Sequence, residues 1–191
     1  MKLIKTGILS GSFNPIHNGH LALAGYLREH EGLDEIWFMV TPLNPLKKQS
    51  DLLEDYKRLE MVRTAVFPYP SFVASDFEFN LSRPSYTINT LSALRKKYPE
   101  RIFHLIIGSD NWIAFDHWKE SEKIIQEYFI IVYPRSGYPI QDKTFPAHVT
   151  CVNAPLYPIS STLIREKIKN KENVSNYLPP TIIKQCIDYY Q

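Results

Sequence analysis

Residues 3–30 read LIKTGILSGSFNPIHNGHLALAGYLREH. An apolar run, Leu3–Ser10, leads into a Gly, an Asn-Pro and two histidines three apart. A helical pattern, Gly19–His30, follows, with Leu23 and Leu27 on one side. The run is nearly continuous rather than alternating, as expected of a parallel strand covered on both faces. A strand that feeds a helix through a Gly-containing turn is the first unit of an α/β chain.

The same alternation continues downstream. Further strands are expected at Glu35–Thr41, Phe72–Glu78, Ile102–Gly108, Tyr128–Tyr133 and His148–Val152. Helices are expected at Leu52–Val66, Tyr86–Tyr98, Lys119–Glu127, Thr162–Asn170 and Pro180–Tyr190. In the first of these, Leu52, Tyr56, Leu59, Val62 and Val66 fall at helical spacing. Prolines at 179 and 180 are placed to start the last helix. The stretch Tyr133–Pro146 is polar and rich in Pro and Gly, and reads as a surface loop. The βαβα order predicts an α/β, doubly wound (Rossmann-like) parallel sheet with helices on both faces. One domain over 1–191 is expected, with the C-terminal helices, about 160–191, packed against its edge.

Bulk properties narrow the function. The chain has 191 residues, 44% hydrophobic and 22% charged, with a net charge of +2. That balance speaks against a nucleic-acid or membrane partner acting over the whole surface, so an anionic ligand needs a local site. Cys151 and Cys186 form no CxxC or Cys/His cluster, which reads as two reduced thiols and no metal site. The N-terminus does not resemble a signal peptide, and no apolar run approaches the roughly 20 residues of a membrane span. A cytoplasmic protein is expected, and a homo-oligomer stays open.

In a doubly wound fold, ligands bind at the carboxyl ends of the strands. The first strand ends at Gly11, which would let the chain turn sharply, and Asn14-Pro15 keeps it extended before the helix. The helix then starts near His17–His20 with unpaired N–H groups and a positive dipole end, a ready anion site. His17 and His20 can share one helical face, and Gly19 leaves that face open to a ligand. Two imidazoles without a third ligand suit a polyphosphate better than zinc. Either histidine alone would read as an exposed loop residue; the whole stretch after a first strand does not.

His17-Asn18-Gly19-His20 resembles the HxGH signature of the nucleotidyltransferase α/β-phosphodiesterase superfamily. The longer GSFNPIHNGH, Gly11–His20, is similar to one branch, the nicotinate (nicotinamide) mononucleotide adenylyltransferases. Phosphopantetheine adenylyltransferases usually carry Thr where His17 stands, and cytidylyltransferases of the glycerol-3-phosphate type favour GTFD. Class I aminoacyl-tRNA synthetases use a similar HIGH, but this chain lacks their length and a KMSKS-type loop. Near the other end, Ile159–Arg165 reads ISSTLIR and resembles the second superfamily signature, ISSTxxR. Taken alone it would be a Ser/Thr helix cap with a solvated Arg.

The resemblance spans essentially the whole chain and implies roles. His17 and His20 would contact the ATP phosphates and stabilise the pentacovalent α-phosphorus. Arg165, with Ser161 and Thr162, would hold the β- and γ-phosphates that leave as pyrophosphate. Gly11, Ser12, Phe13 and Gly19 would line the nucleotide site. Gly108-Ser109-Asp110 resembles the family's G-x-D, which puts Asp110 on a ribose hydroxyl; a helix N-cap is its bland alternative. Ser85–Leu91 resembles the SYTxxTL segment, so Thr87 and nearby N–H groups would receive the acceptor's carboxylate. Trp118 would stack on the pyridine ring, with Trp112 a second aromatic. In Pro42–Lys48, Asn44 and either Lys47 or Lys48 would meet the acceptor phosphate. Here the chain departs from the usual PPHK-type loop, with Leu46 where His is usual.

The implied reaction joins ATP to nicotinate mononucleotide, giving nicotinate adenine dinucleotide and pyrophosphate, with Mg2+ carried by the ATP phosphates. Nicotinamide mononucleotide and phosphopantetheine are rival acceptors. A non-catalytic nucleotide sensor is a rival of another class. Such a module would have lost a histidine or Arg165, and all three are present.

Overall fold

The structure is a computed structural model, and it describes residues 2–42, 52–140 and 144–191. The described residues form six strands: β1 (Ile4–Gly11), β2 (Glu35–Val40), β3 (Phe72–Ser75), β4 (Arg101–Gly108), β5 (Phe129–Tyr133) and β6 (Val149–Cys151). They pair in the order β3-β2-β1-β4-β5-β6, every pair parallel. The helices are α1 (Asn18–His30), α2 (Asp55–Val66), α3 (Thr87–Lys97), α4 (Ser109–Ile113), α5 (Ser121–Glu127), α6 (Ser161–Lys169) and α7 (Ile183–Tyr190). The doubly wound sheet expected from the sequence is the one observed.

Strand parity explains the continuous apolar runs. Ile8, Trp37, Met39, Leu105, Ile107, Ile130 and Val132 face one core with Ile88, Leu91 and Leu94 of α3 and Ile124 of α5. Their neighbours Leu9, Ile36, Phe38, Val40, Ile106 and Ile131 face the other, with Leu27 of α1, Val62 of α2 and Ile164 of α6. Adjacent side chains point to opposite faces, so a strand covered twice must be apolar at both parities.

Two elements depart from the sequence reading. The strand expected to reach Glu78 stops at Ser75, where Ser75 Oγ accepts a hydrogen bond from the Phe77 N–H at 3.3 Å and a 3-10 turn, Phe77–Asn80, begins. β3 is a sheet edge with only four residues paired, so little holds it extended. Helix α2 begins at Asp55, not Leu52, and Tyr56 is 75% exposed. Leu59, Val62 and Val66 are buried as expected, and Arg58, Met61 and Ala65 share their face. Finally, the C-terminal segment packs through Ile164, Ile168, Leu178, Ile182 and Cys186, which join the same core as Leu9, Phe38 and the buried residues of α1 and α2.

The strand order reverses between β1 and β4, which leave in opposite lateral directions. In such sheets the crevice outside the carboxyl ends at this point is where ligands bind. Gly11 and Gly108 close those two strands.

Candidate active site

The turn after β1 is made differently from the sequence expectation. Gly11 remains in the strand and is not in a left-handed conformation; Phe13 is, with φ of 43°, and the Asn14-Pro15 bond is cis. A bulky residue with positive φ is uncommon and must be held by its surroundings. Phe13 is buried, its ring against His20 at 5.1 Å and Phe38 at 5.8 Å.

His17 is the N-cap of α1 and His20 lies in the first turn. Their rings stack at 3.6 Å between centroids. The His17 N–H donates to His20 Nδ1 at 3.3 Å, so the His20 proton sits on Nε2, free for a ligand. His17 is buried, His20 half-buried. Burial, and then the charge of Arg135, lowers the His17 pKa to about 4. Burial, His17 and Arg135 hold His20 well below the usual value too. Both imidazoles are therefore neutral near pH 7 and offer N–H donors rather than charge. A Cβ on Gly19 would lie 3.1 Å from His17 Nδ1 and 3.3 Å from Tyr157 Cβ. The glycine makes room first for the His17 ring rather than for a ligand.

The second motif is joined to the first. Ser160, not Ser161 or Thr162, caps α6, accepting from the Leu163 N–H at 3.1 Å. Ser161 Oγ donates to the Pro15 carbonyl at 2.8 Å, and Arg165 Nη1 donates to the Asn14 carbonyl at 2.8 Å. Thr162 is exposed, its hydroxyl 3.4 Å from Arg165 Nη2. Two segments nearly 150 positions apart thus meet at the carboxyl end of β1, and Arg165 is anchored rather than solvated.

Beyond β4, Gly108 is the N-cap of α4 and Asp110 lies inside its first turn, so Asp110 is not the cap. A Cβ at Gly108 would crowd Asp110 Oδ1 and lie 2.8 Å from Arg135 Cγ, so any larger residue would make both side chains shift from their place over the strand end. Arg135 Nε lies 3.7 Å from Asp110 Oδ1, and its backbone N–H donates to Ser109 Oγ at 2.9 Å. Beside them opens a cleft of about 630 Å³ lined by Ser109, Arg135, Tyr138, Cys151, Val152 and Leu156. A more open hollow of about 400 Å³ at the β3 edge, lined by Arg63, Phe67 and Phe72, contains no motif residue.

Thr87 is the first residue of α3, whose N-cap Tyr86 provides no side-chain cap. Lys119 Nζ lies 4.6 Å from the Tyr86 ring centre, which ties this helix start to the segment carrying Trp118. Trp112 and Trp118, both half-buried, flank the buried Phe115 at 5.4 and 5.0 Å. Asn44, Lys47 and Lys48 lie outside the described residues.

Sequence reasoning missed two groups. Arg135 follows β5 inside a loop that read only as surface, and nothing in its neighbours marks it. Arg58 is fully buried and donates to the carbonyls of Leu53 (2.8 Å), Thr41 (3.0 Å) and Ser12, and to Asp55 Oδ1 (2.7 Å). It thereby ties the ends of β1 and β2 to the start of α2. Its place on the stripe with Val62 and Ala65 was the available signal.

A family model described as cytidylyltransferase-like matches residues 8–167. A protein of Bacteroides fragilis (strain YCH46) named "Probable nicotinate-nucleotide adenylyltransferase" is 55% identical over 187 residues, covering 98% of this chain and 93% of that one. One of the same name from Bacteroides thetaiotaomicron is 52% identical over 186 residues, covering 97% and 92%. The structure of Plasmodium falciparum nicotinic acid mononucleotide adenylyltransferase complexed with NaAD superposes with a TM-score of 0.78 over 97% of this chain and 98% of that one. Its identity is 22%, so this likeness speaks for the fold.

Proposed function

The chain belongs to the cytidylyltransferase-like family and, within it, to the nicotinate-nucleotide adenylyltransferases, and from that membership we infer its reaction. It transfers the adenylyl group of ATP to nicotinate mononucleotide, giving nicotinate adenine dinucleotide and pyrophosphate, a step of NAD biosynthesis. A phosphate oxygen of the mononucleotide attacks the α-phosphorus of ATP. The bond from that phosphorus to the β-bridging oxygen breaks, and pyrophosphate departs with the electron pair. The acceptor phosphate is ionised near pH 7, so no general base is needed. Catalysis is alignment of two anions plus stabilisation of charge on the α-phosphate.

The roles we propose for the residues follow their chemistry. His20 Nε2–H and the stacked His17 would donate to the α-phosphate. Arg165, Ser161 and Thr162 would take the departing phosphates, and Arg135 would add a second positive charge. Asp110 and the cleft beside it would take the nucleoside end, with backbone at Gly11, Ser12, Phe13, Gly19 and Gly108 against the nucleotide. Thr87 and the uncapped N–H groups of α3 suit the carboxylate of nicotinate, and Trp118, with Trp112, suits its flat ring. Asn44, Lys47 and Lys48 remain proposed for the acceptor phosphate. The donors around the crevice are imidazole and guanidinium nitrogens, which suit phosphate oxygens and not a hard cation. Magnesium would therefore ride on the ATP phosphates and water, neutralising their charge. No helix among the described residues is long and apolar enough to cross a membrane. Both substrates are intracellular nucleotides, which supports a cytoplasmic site of action.

The observation that carries the site assignment is the junction of the two motifs through Ser161 Oγ to Pro15 and Arg165 to Asn14. It is tested by pyrophosphate release from ATP with nicotinate mononucleotide, nicotinamide mononucleotide and phosphopantetheine in turn. Nicotinate mononucleotide is expected to be the best acceptor. His20→Ala should lower turnover by roughly a hundredfold or more while thermal unfolding is retained. Activity with phosphopantetheine alone, or near-normal turnover in folded His20→Ala, would defeat the assignment.

A further inference from the structure

We propose that Tyr190, at the end of α7, is a positioning residue for the adenylyl-transfer site, acting through the side chain of Asn14. Tyr190 Oη donates to Asn14 Oδ1 at 2.7 Å, and the Leu53 N–H donates to the same oxygen at 3.2 Å. Asn14 is 5% exposed, so this amide oxygen is satisfied by protein. Burial raises the Tyr190 pKa and keeps the hydroxyl a donor.

Asn14 stands between the left-handed Phe13 and His17. A bulky residue with positive φ persists only where its surroundings over-determine it. Arg58 on the Ser12 carbonyl and Phe38 against the Phe13 ring hold one side, and the C-terminal part of the chain holds the other. The Asn14 carbonyl is held by Arg165, the Pro15 carbonyl by Ser161, and the Asn18 N–H by the Tyr177 carbonyl at 2.9 Å. Tyr190 adds the contact that reaches the Asn14 side chain itself. Through Leu53 it also fixes the approach to α2. The histidine pair is thus seated on a turn held in part from residues 161–190. A shift of the turn would misplace both rings, and misplacement of about 1 Å can be costly in catalysis.

The inference rests on the adenylyltransferase reading, and Tyr190→Phe tests it by removing only the hydroxyl. The expected loss in kcat/KM for ATP is roughly three- to tenfold, carried mainly by kcat, as for one net hydrogen bond. In an Asn14→Ala background the same change should cost little, so the two effects are non-additive. Amide hydrogen exchange at residues 13, 14 and 16–18 and at Leu53 should be faster in Tyr190→Phe, without any substrate present. An equal loss in both backgrounds, or a lower melting temperature with unchanged kcat and unchanged exchange, would overturn the proposal. Should Asn14→Ala not fold, exchange at Leu53 in Tyr190→Phe decides: faster supports it, unchanged overturns it. A parent protein without adenylyl transfer would defeat the reaction, and the exchange result would still decide the latch.

Discussion

At the scale of single residues, the site separates charge from hydrogen bonding. His17 and His20 are neutral near pH 7 and offer hydrogen bonds rather than charge, so among the described residues of the proposed site the cations are the guanidinium groups of Arg165 and Arg135. Arg165 is half-buried and anchored on the Asn14 carbonyl, whereas the Arg135 side chain is 49% exposed and 3.7 Å from Asp110. Of the two, Arg135 is the more exposed, held by the Tyr133 side chain and by Asp110, and a phosphate could compete for it there. Arg135→Ala is expected to lower kcat/KM for ATP by roughly ten- to a hundredfold, with partial recovery in Arg135→Lys. The same variant carries a second readout. Its charge is one cause of the low His17 pKa of about 4, and burial is the larger one. NMR titration of the imidazoles should therefore show His17 moving up in Arg135→Ala while staying below its ordinary value. An unmoved His17 together with an unchanged rate would remove Arg135 from the site.

At the scale of elements, what could be read in advance follows the range of the force involved. The central strands announce themselves because both faces are covered, and helix α1 because Leu23 and Leu27 recur on one side. The two ends of the site were readable as motifs, since GSFNPIHNGH and ISSTLIR each compress a strand end or a helix start into contiguous residues. The register of α2 was readable from Leu59 onward, where Leu59, Val62 and Val66 are buried as their spacing predicts, but its first turn was not. Spacing put Tyr56 on the inner face, but the buried position belongs to Arg58, whose acceptors at residues 12, 41 and 53 converge only after folding. The end of β3 was hidden for a like reason. Glu78 continues an apolar run in sequence, yet it turns inward to accept from Thr90 Oγ1 at 2.9 Å, a partner brought by α3. Arg135 escaped notice because it meets Asp110 only across the β4–β5 strand ends. For α2 the consequence is measurable. Arg58→Met leaves several carbonyls and Asp55 without their donor in the interior and should cost about 3–5 kcal/mol of stability by urea unfolding. Arg58→Lys keeps the charge but not the fork, and should fall between the two. A loss under about 1 kcal/mol in Arg58→Met would show that water replaces the guanidinium there.

At the scale of the whole molecule, the buried histidines make stability depend on pH. His17 and His104 are each lowered to about 4, mainly by burial, and His20 is lowered too. In the unfolded chain these groups titrate near about 6.5. Between those values the unfolded state binds more protons than the native one, so stability is full above roughly pH 6.5 and falls as the pH drops toward 4. Glu78 acts in the opposite sense: burial raises its pKa, so its contribution declines as pH rises above its ordinary value. Three histidines outweigh one carboxyl that is itself relieved by Thr90, and the net slope should be positive. For His17 alone, the loss on going from pH 7 to pH 5 is about 2 kcal/mol, from the ratio of its folded and unfolded titrations. His17→Asn should therefore flatten the pH dependence of urea unfolding by about that amount, even if it is less stable than the parent at pH 7. ATP should oppose the parent's slope, because a bound triphosphate favours protonated imidazole and so raises the low histidine pKa values. Unfolding curves at pH 5 and 7, with and without ATP, check both statements. Parallel losses in parent and His17→Asn would mean that His17 is not neutralised by its place at the head of α1.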